Sequence, residues 1–257
     1  MAGGRVGTGD TVRTIVVGDI HGCLEEFDEL LATTEFVVGV DRLVLLGDLM
    51  DRGPDPIGVV RRARELGAEA VLGNHDEKHL RWRKHEEKKR QRPSYQNPMR
   101  PLRVSAQQAN AALTEEDLAY LTGLPLLIRL ESPWVAVHAG FVSGVAIDDQ
   151  KAAVMLRIRY VDSGGRFVSI SEDGQPPPGA RPWPEHWRGP ESVVYGHAVQ
   201  TPPSPSITES APGVRCIGID TGCCFGGRLT ALLFPSLEVV QVTAKSTYDV
   251  IDPAEPE

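Results

Sequence analysis

Cysteine is scarce in this sequence: four residues in 257, at Cys23, Cys216, Cys223 and Cys224. None forms a CxxC pair, so neither a zinc ribbon nor a disulfide framework is indicated, and a reduced cytoplasmic setting is expected. Long hydrophobic runs are missing too. No stretch approaches the roughly eighteen apolar residues of a membrane span. The first residues, MAGGRVGTGDTVRTIVVGD, lack the apolar region of a secretory leader. Excess positive charge is also absent: 27 Lys and Arg stand against 35 Asp and Glu, a net charge of −8. That argues against binding nucleic acid or a membrane over the whole surface. Hydrophobic residues at 41% and charged residues at 24% exclude collagen, coiled coil and wholesale disorder. The length suits one α/β domain able to bury its own core.

What is there alternates clearly in the first third. Val12 to Val17, Leu43 to Leu46 and Ala70 to Leu72 read as short buried strands. Leu24 to Leu31 and Pro56 to Leu66 read as the helices between them, the second with Pro near its first turn. Strand, helix, strand, helix, strand predicts right-handed parallel crossovers in one sheet. From Glu77 to about Pro125 the rhythm breaks into a mostly helical insertion with a helix start at Thr114 to Asp117. Strands then dominate. Leu126 to Leu130 and Trp134 to Val137 predict a hairpin, followed by Val193 to Tyr195, Arg215 to Ile219, Leu229 to Phe234 and Val239 to Val242. Ser163 to Pro190, rich in Gly and Pro, reads as irregular loop, and the tail from about 250 to 257 as disordered. One catalytic domain over 1–257 is therefore expected, with a helical lid insertion at about 77–125.

Ligand-type residues recur just after the apolar strands. Asp19 and His21 follow the first, Asp48 and Asp51-Arg52-Gly53 the second, and Asn74-His75-Asp76 the third. His138 follows the Trp134 strand and His197 the Val193 strand. The carboxyl ends of parallel strands are where α/β sheets place ligands. Three oxygen donors (Asp19, Asp48, Asn74) and three imidazoles (His21, His138, His197), with no thiolate, suit manganese, iron, cobalt or catalytic zinc. Six ligands are too many for one tetrahedral ion and suit two ions sharing a carboxylate. Any one of these motifs alone is usually a turn; five in order, each after a strand, are not.

GDIHG at 18–22, GDLMDRG at 47–53, GNHD at 73–76, HAG at 138–140 and GH at 196–197 together resemble the metallophosphoesterases of the phosphoprotein-phosphatase type. The segments LRIRY at 156–160, GP at 189–190 ahead of YGH, and DTGCCFGGRLT at 220–230 are similar to the symmetrical bis(5′-nucleosyl)-tetraphosphatases, the diadenosine tetraphosphate hydrolases. The resemblance implies a four-layer α/β/β/α sandwich. It implies that Asp19 and His21 hold a first metal, that Asp48 bridges, and that Asn74, His138 and His197 hold the second. It makes His75 the general acid, oriented by Asp51, and Arg52 the phosphoryl ligand. GNHD ends in Asp76 where the protein-phosphatase branch usually has Glu.

The physical chemistry agrees. Two cations, most simply Mn²⁺ with Co²⁺, Fe²⁺ or Zn²⁺ as alternatives, activate a shared water at neutral pH, and Arg52 offers a fork that lysine cannot copy. Its bland alternative is a salt bridge to Asp51 or Asp55. A second phosphate-binding arginine is expected at Arg157 or Arg159, which alternate as strand neighbours would, with Arg228 a weaker choice. The basic segment Glu77 to Arg103, with Lys88 and Arg90 among its cations, predicts a lid that grips polyphosphate, or else a solvated helix. Cys223 and Cys224 read as packing residues, and Trp183 with Trp187 as satellite core. The leading expectation is cleavage of diadenosine tetraphosphate into two ADP. The alternatives are a Ser/Thr protein phosphatase or broad phosphomonoesterase, a hydrolase of inorganic polyphosphate or of a 5′-capped or triphosphorylated RNA end, and a catalytically dead binding protein. A monomer or small homo-oligomer without membrane contact is expected.

Overall fold

In the computed structural model, which describes residues 12–171 and 174–250, the alternation of the first third becomes a sheet. β1 (Thr14–Val17), β2 (Arg42–Leu45) and β3 (Glu69–Ala70) run parallel, linked by α1 (Leu24–Thr33) and α2 (Pro56–Glu65). Asp55 caps α2, accepting the Gly58 N–H at 2.8 Å, and Pro56 follows at the first helical position. β12 (Arg228–Phe234) and β13 (Glu238–Thr243) complete this sheet antiparallel, in the order β13-β12-β1-β2-β3.

A second five-stranded sheet has the order β10-β11-β9-β5-β4. It contains β4 (Leu127–Arg129), β5 (Trp134–Val137), β9 (Ser192–Tyr195), β10 (Ser206–Ala211) and β11 (Val214–Gly218). β5, β9 and β11 are mutually parallel, and β4 with β5 forms the expected hairpin.

Period-two alternation builds the layers. Ile15, Val17, Leu43 and Leu45 pack outward under α1 and α2, while Val16, Val44 and Leu46 face the other sheet. On the second sheet, Val135, Val137, Val193 and Tyr195 face outward with Trp183 and Trp187, and Ala136, Val194 and Ile217 face inward. Both faces are covered, so the strands read as unbroken apolar runs. The result is an α/β fold with four layers: helices, sheet, sheet, then the second sheet's cover, which includes α6 (Ala152–Arg157). Cys223 and Cys224 are buried with the α1 side of the core.

Three local readings are corrected. The insertion helix α3 (Asn74–Gln91) begins inside the GNHD motif rather than after it, and α4 (Val104–Ala112) and α5 (Glu115–Thr122) follow. α5 starts as expected: the Thr114 hydroxyl accepts the Asp117 N–H, and the Asp117 carboxylate accepts the Thr114 N–H. The 163–190 stretch is not wholly irregular. Short strands β6 (Tyr160–Val161), β7 (Phe167–Val168) and β8 (Arg181–Pro182) form a three-stranded sheet. The edge strand β10 was not foreseen, because SITESA is half exposed and carries no apolar run. The tail expected to be disordered falls outside the described residues from 251 onward.

Candidate metal centre

Six parallel strands, three in each sheet, each end at a residue of one buried cluster. Asp19 follows β1, Asp48 follows β2 and Asn74 follows β3; His138 follows β5, His197 follows β9 and Asp220 follows β11. All six are at most 5% exposed. His21 is brought in beside them on the loop between β1 and α1. Sequence reasoning had Asp220 only as part of a resemblance. Its signal was an apolar strand, Arg215 to Ile219, ending at a carboxylate with Gly222 two residues on.

Asp48 sits at the middle. Its Oδ2 lies 3.3 Å from His21 Nε2 and its Oδ1 3.6 Å from His138 Nε2. Two groups of potential ligand atoms, each within 4.8 Å of one another, share it: His21, Asp48 and His75, and Asp19, Asp48 and His138. Asn74 Oδ1 is 2.8 Å from His138 Nε2 and 3.0 Å from His197 Nδ1, so the amide and both imidazoles converge on one point.

Backbone carbonyls set the tautomers. His21 Nδ1–H donates to the Met50 carbonyl at 2.9 Å, and His138 Nδ1–H to the Leu46 carbonyl at 2.8 Å. Each Nε2 is thereby left as a lone pair facing the cluster, the usual orientation of a metal-bound histidine. Glycines allow the close approach: a Cβ on Gly73 would overlap the backbone and Oδ1 of Asp48, and one on Gly196 would overlap Oδ1 of Asp19.

The electrostatics call for cations. Burial and the carboxylates of Asp220 and Asp48 push Asp19 well above the usual carboxylate range. Its Oδ1 is buried with no hydrogen-bond partner. Burial also works to raise Asp48, but His138, His75 and His21 outweigh it and hold it at about 2. Burial lowers His21 to about 3, against the pull of Asp48. His197 is held well below its ordinary value by burial and by Arg159. Neutral imidazoles, crowded carboxylates and an orphaned oxygen are the donor set of a divalent-metal site. The residues present fit such a group.

Beside the cluster, Asp51 is clamped on both oxygens. His75 Nδ1–H donates to Oδ2 at 2.7 Å, and His79 Nε2–H to Oδ1 at 2.6 Å. Asn110 donates to His79 Nδ1 at 3.1 Å, which leaves the proton on Nε2. Despite burial, these hydrogen bonds from His75 and His79 keep Asp51 well below the usual carboxylate range. His79, inside the basic segment Glu77 to Arg103, is fully buried, one helical turn after His75 on the same face of α3. Asp76 is no ligand. It accepts the N–H groups of Leu49, Met50 and Gly73 and so ties the β2 loop to the start of α3.

Arg52 lies between His75 and Asp249. Its Nη2 is 3.4 Å from His75 Nε2, and its Nη1 donates not to Asp51 or Asp55 but to Asp249 at 2.9 Å. In front of it opens a cavity of about 350 Å³. Arg52, Asn74, His75, Lys78, Arg81, His85, Pro98, Met99, Arg100 and Arg157 line it.

Arg157 and Arg159 do not alternate on a strand, because α6 ends at Arg157. Arg157 faces the cavity and donates to Glu77 at 2.7 Å. Arg159 instead donates to the His197 carbonyl at 3.1 Å. Arg228 lies away from both, on β12, donating to Gln241 at 3.0 Å. Lys88 and Arg90 do not line this cavity. Lys88 lies 5.8 Å from the Tyr95 ring centre and Arg90 pairs with Glu87. They come 14 and 16 residues after Asn74, about 21–24 Å along a helix rising about 1.5 Å per residue. Besides Arg52 and Arg157, the cations near the centre come from the first turns of α3 and from the 98–100 segment.

Comparison with known proteins agrees. The calcineurin-like phosphoesterase family matches residues 12–218. The chain is 32% identical over 247 residues to the bis(5′-nucleosyl)-tetraphosphatase PrpE [asymmetrical] of Bacillus subtilis, covering 91% of this chain and 96% of that protein. It is 30% identical over 274 residues to the symmetrical bis(5′-nucleosyl)-tetraphosphatase of Pectobacterium atrosepticum, covering 85% and 90%. A crystal structure assigned as a diadenosine tetraphosphatase superposes with a TM-score of 0.73 at 33% identity, covering 92% and 95%. A Saccharomyces cerevisiae protein serine/threonine phosphatase shares the fold alone, at 12% identity and a TM-score of 0.54. The chain belongs to the calcineurin-like phosphoesterases, metal-dependent hydrolases.

Proposed function

We propose that the protein is a dinuclear-metal hydrolase of phosphoanhydride bonds that cuts dinucleoside polyphosphates, diadenosine tetraphosphate giving two ADP. The observation that carries this reading is Asp48, one carboxylate whose Oδ2 lies 3.3 Å from His21 Nε2 and whose Oδ1 lies 3.6 Å from His138 Nε2. Asp19 and His21 would hold one ion, Asn74, His138 and His197 the other, and Asp48 both. When bound, two divalent ions, Mn²⁺ first among the alternatives, supply an activated water and neutralise charge on the phosphoryl oxygens.

The chain's own residues do the rest. Arg52 Nη2, beside His75, would meet a phosphoryl oxygen. His75 Nε2 faces the cavity, while Nδ1–H is fixed by Asp51, so a proton delivered to a leaving group comes from Nε2. The lining of the cavity supports a chain of phosphates as the substrate. Lys78, Arg81, Arg100 and Arg157 join Arg52 along its lining, and no lining residue among those described is acidic. A phosphomonoester has no use for four further cations; a tetraphosphate does.

The His75–Asp51 pair favours a second reading, phosphomonoester hydrolysis, because an alkoxide leaving group needs an acid. Product analysis with diadenosine tetraphosphate, run beside a phosphopeptide, separates the two. Two ADP support the first reading, and ATP plus AMP would move the cut to the asymmetrical position. Phosphopeptide turnover without anhydride cleavage would replace the reading altogether.

A further inference from the structure

Asp249 lies beyond residue 218, where the family match ends, yet its carboxylate reaches the candidate centre. Its Oδ2 accepts from Arg52 Nη1 at 2.9 Å, and both of its oxygens lie 3.1 Å from Arg103 Nη1. The segment that delivers it is anchored independently of Arg52. The backbone N–H groups of Tyr248 and Asp249 donate to the Cys224 carbonyl at 2.9 and 3.0 Å. The Lys245 amide and the Tyr248 hydroxyl both donate to Glu26 Oε1 at 2.8 Å. Phe225, in the turn that receives this segment, lies 5.0 Å from the Arg52 guanidinium. Arg52 Nη1 donates to Asp249, and Nη2 lies 3.4 Å from His75 Nε2.

We propose that Asp249 is the positioning residue for Arg52, an inference that rests on the reading of Arg52 as a phosphoryl ligand. It holds the guanidinium so that Nη2, not Nη1, is presented to the substrate. An arginine side chain has several rotatable bonds, and fixing it before substrate arrives removes that ordering from the catalytic step. Asp249 acts through Arg52.

The experiment is a double-mutant cycle on the full, metal-loaded chain with diadenosine tetraphosphate. Asp249→Ala and Asp249→Asn are made in the wild-type and Arg52→Ala backgrounds. kcat and KM, inhibition by inorganic phosphate and the thermal midpoint are recorded for each. Asp249→Ala is expected to lower kcat/KM roughly 10- to 100-fold and to weaken phosphate inhibition. Asp249→Asn, which keeps an acceptor for Nη1, should lose less. In the Arg52→Ala background, Asp249→Ala should cost nothing further. An equal loss in both backgrounds would mean a merely structural role and overturn the proposal, as would undiminished activity of Asp249→Ala where Arg52→Ala is impaired. Full activity of Arg52→Ala would instead reject the reading of Arg52, and the proposal with it.

Discussion

His75 is the residue on which the choice between ester and anhydride turns. Burial disfavours its charged form, but the carboxylates of Asp48 and Asp51 outweigh burial and raise its pKa. A general acid works only while protonated, so turnover that depends on His75 falls as pH rises through that raised value. Asp51→Asn removes one of the two carboxylates, and the basic limb of the pH–kcat profile for a phosphoserine peptide is expected to move to lower pH. A limb that stays in place would belong to another group. His75→Ala is expected to lower phosphopeptide turnover by about 10²-fold or more and diadenosine tetraphosphate turnover less. Equal losses would remove the acid role. Backbone strain gathers at the same place. Of the seven non-glycine residues with left-handed backbone among those described, five are His21, Asp48, Asp51, Arg52 and His197. Their identities were legible because each stands beside a strand end and a glycine. Asp249 was not, since a carboxylate about 200 residues from Arg52 carries no local mark of its partner.

At the scale of elements, the parallel strands were readable because both sheet faces are covered and the strands are apolar throughout. β6, β7 and β8 have two residues each, too short for any period, and β10 is an edge strand with little to bury. α3 was recognised as basic, but its phase was not. Only once Asn74 is seen to open the helix does it follow that His75 and His79 face Asp51 and that Lys78 and Arg81 overhang the centre. Reversing Arg81 and Arg100 to Glu is therefore expected to raise KM for diadenosine tetraphosphate by about 10-fold or more, the scale of a lost charge-assisted hydrogen bond. Reversing Lys88 and Arg90 should move it less. The opposite order would return the polyphosphate grip to the far end of α3.

For the whole molecule, a net charge of −8 hides two local fields. Asp19, Asp48, Asp76 and Asp220 are buried around one point, and five cations line the cavity above it. No helix among the described residues is long and apolar enough to cross a membrane. Crowded carboxylates destabilise a fold that lacks their cations. Mn²⁺ at 100 times its dissociation constant is expected to add about 2.7 kcal/mol. That is about 5–11 °C in thermal midpoint for a chain of this size. The gain should vanish in Asp48→Asn; an equal gain there would place the binding elsewhere.

Phosphoanhydride hydrolysis would depend on Asp48 as the shared ligand of two ions. Its most direct test is the product pattern from diadenosine tetraphosphate with Mn²⁺-loaded protein and with Asp48→Asn. Two ADP are expected from the first and none from the second. Undiminished cleavage by Asp48→Asn, or no cleavage by the loaded wild type, would contradict it.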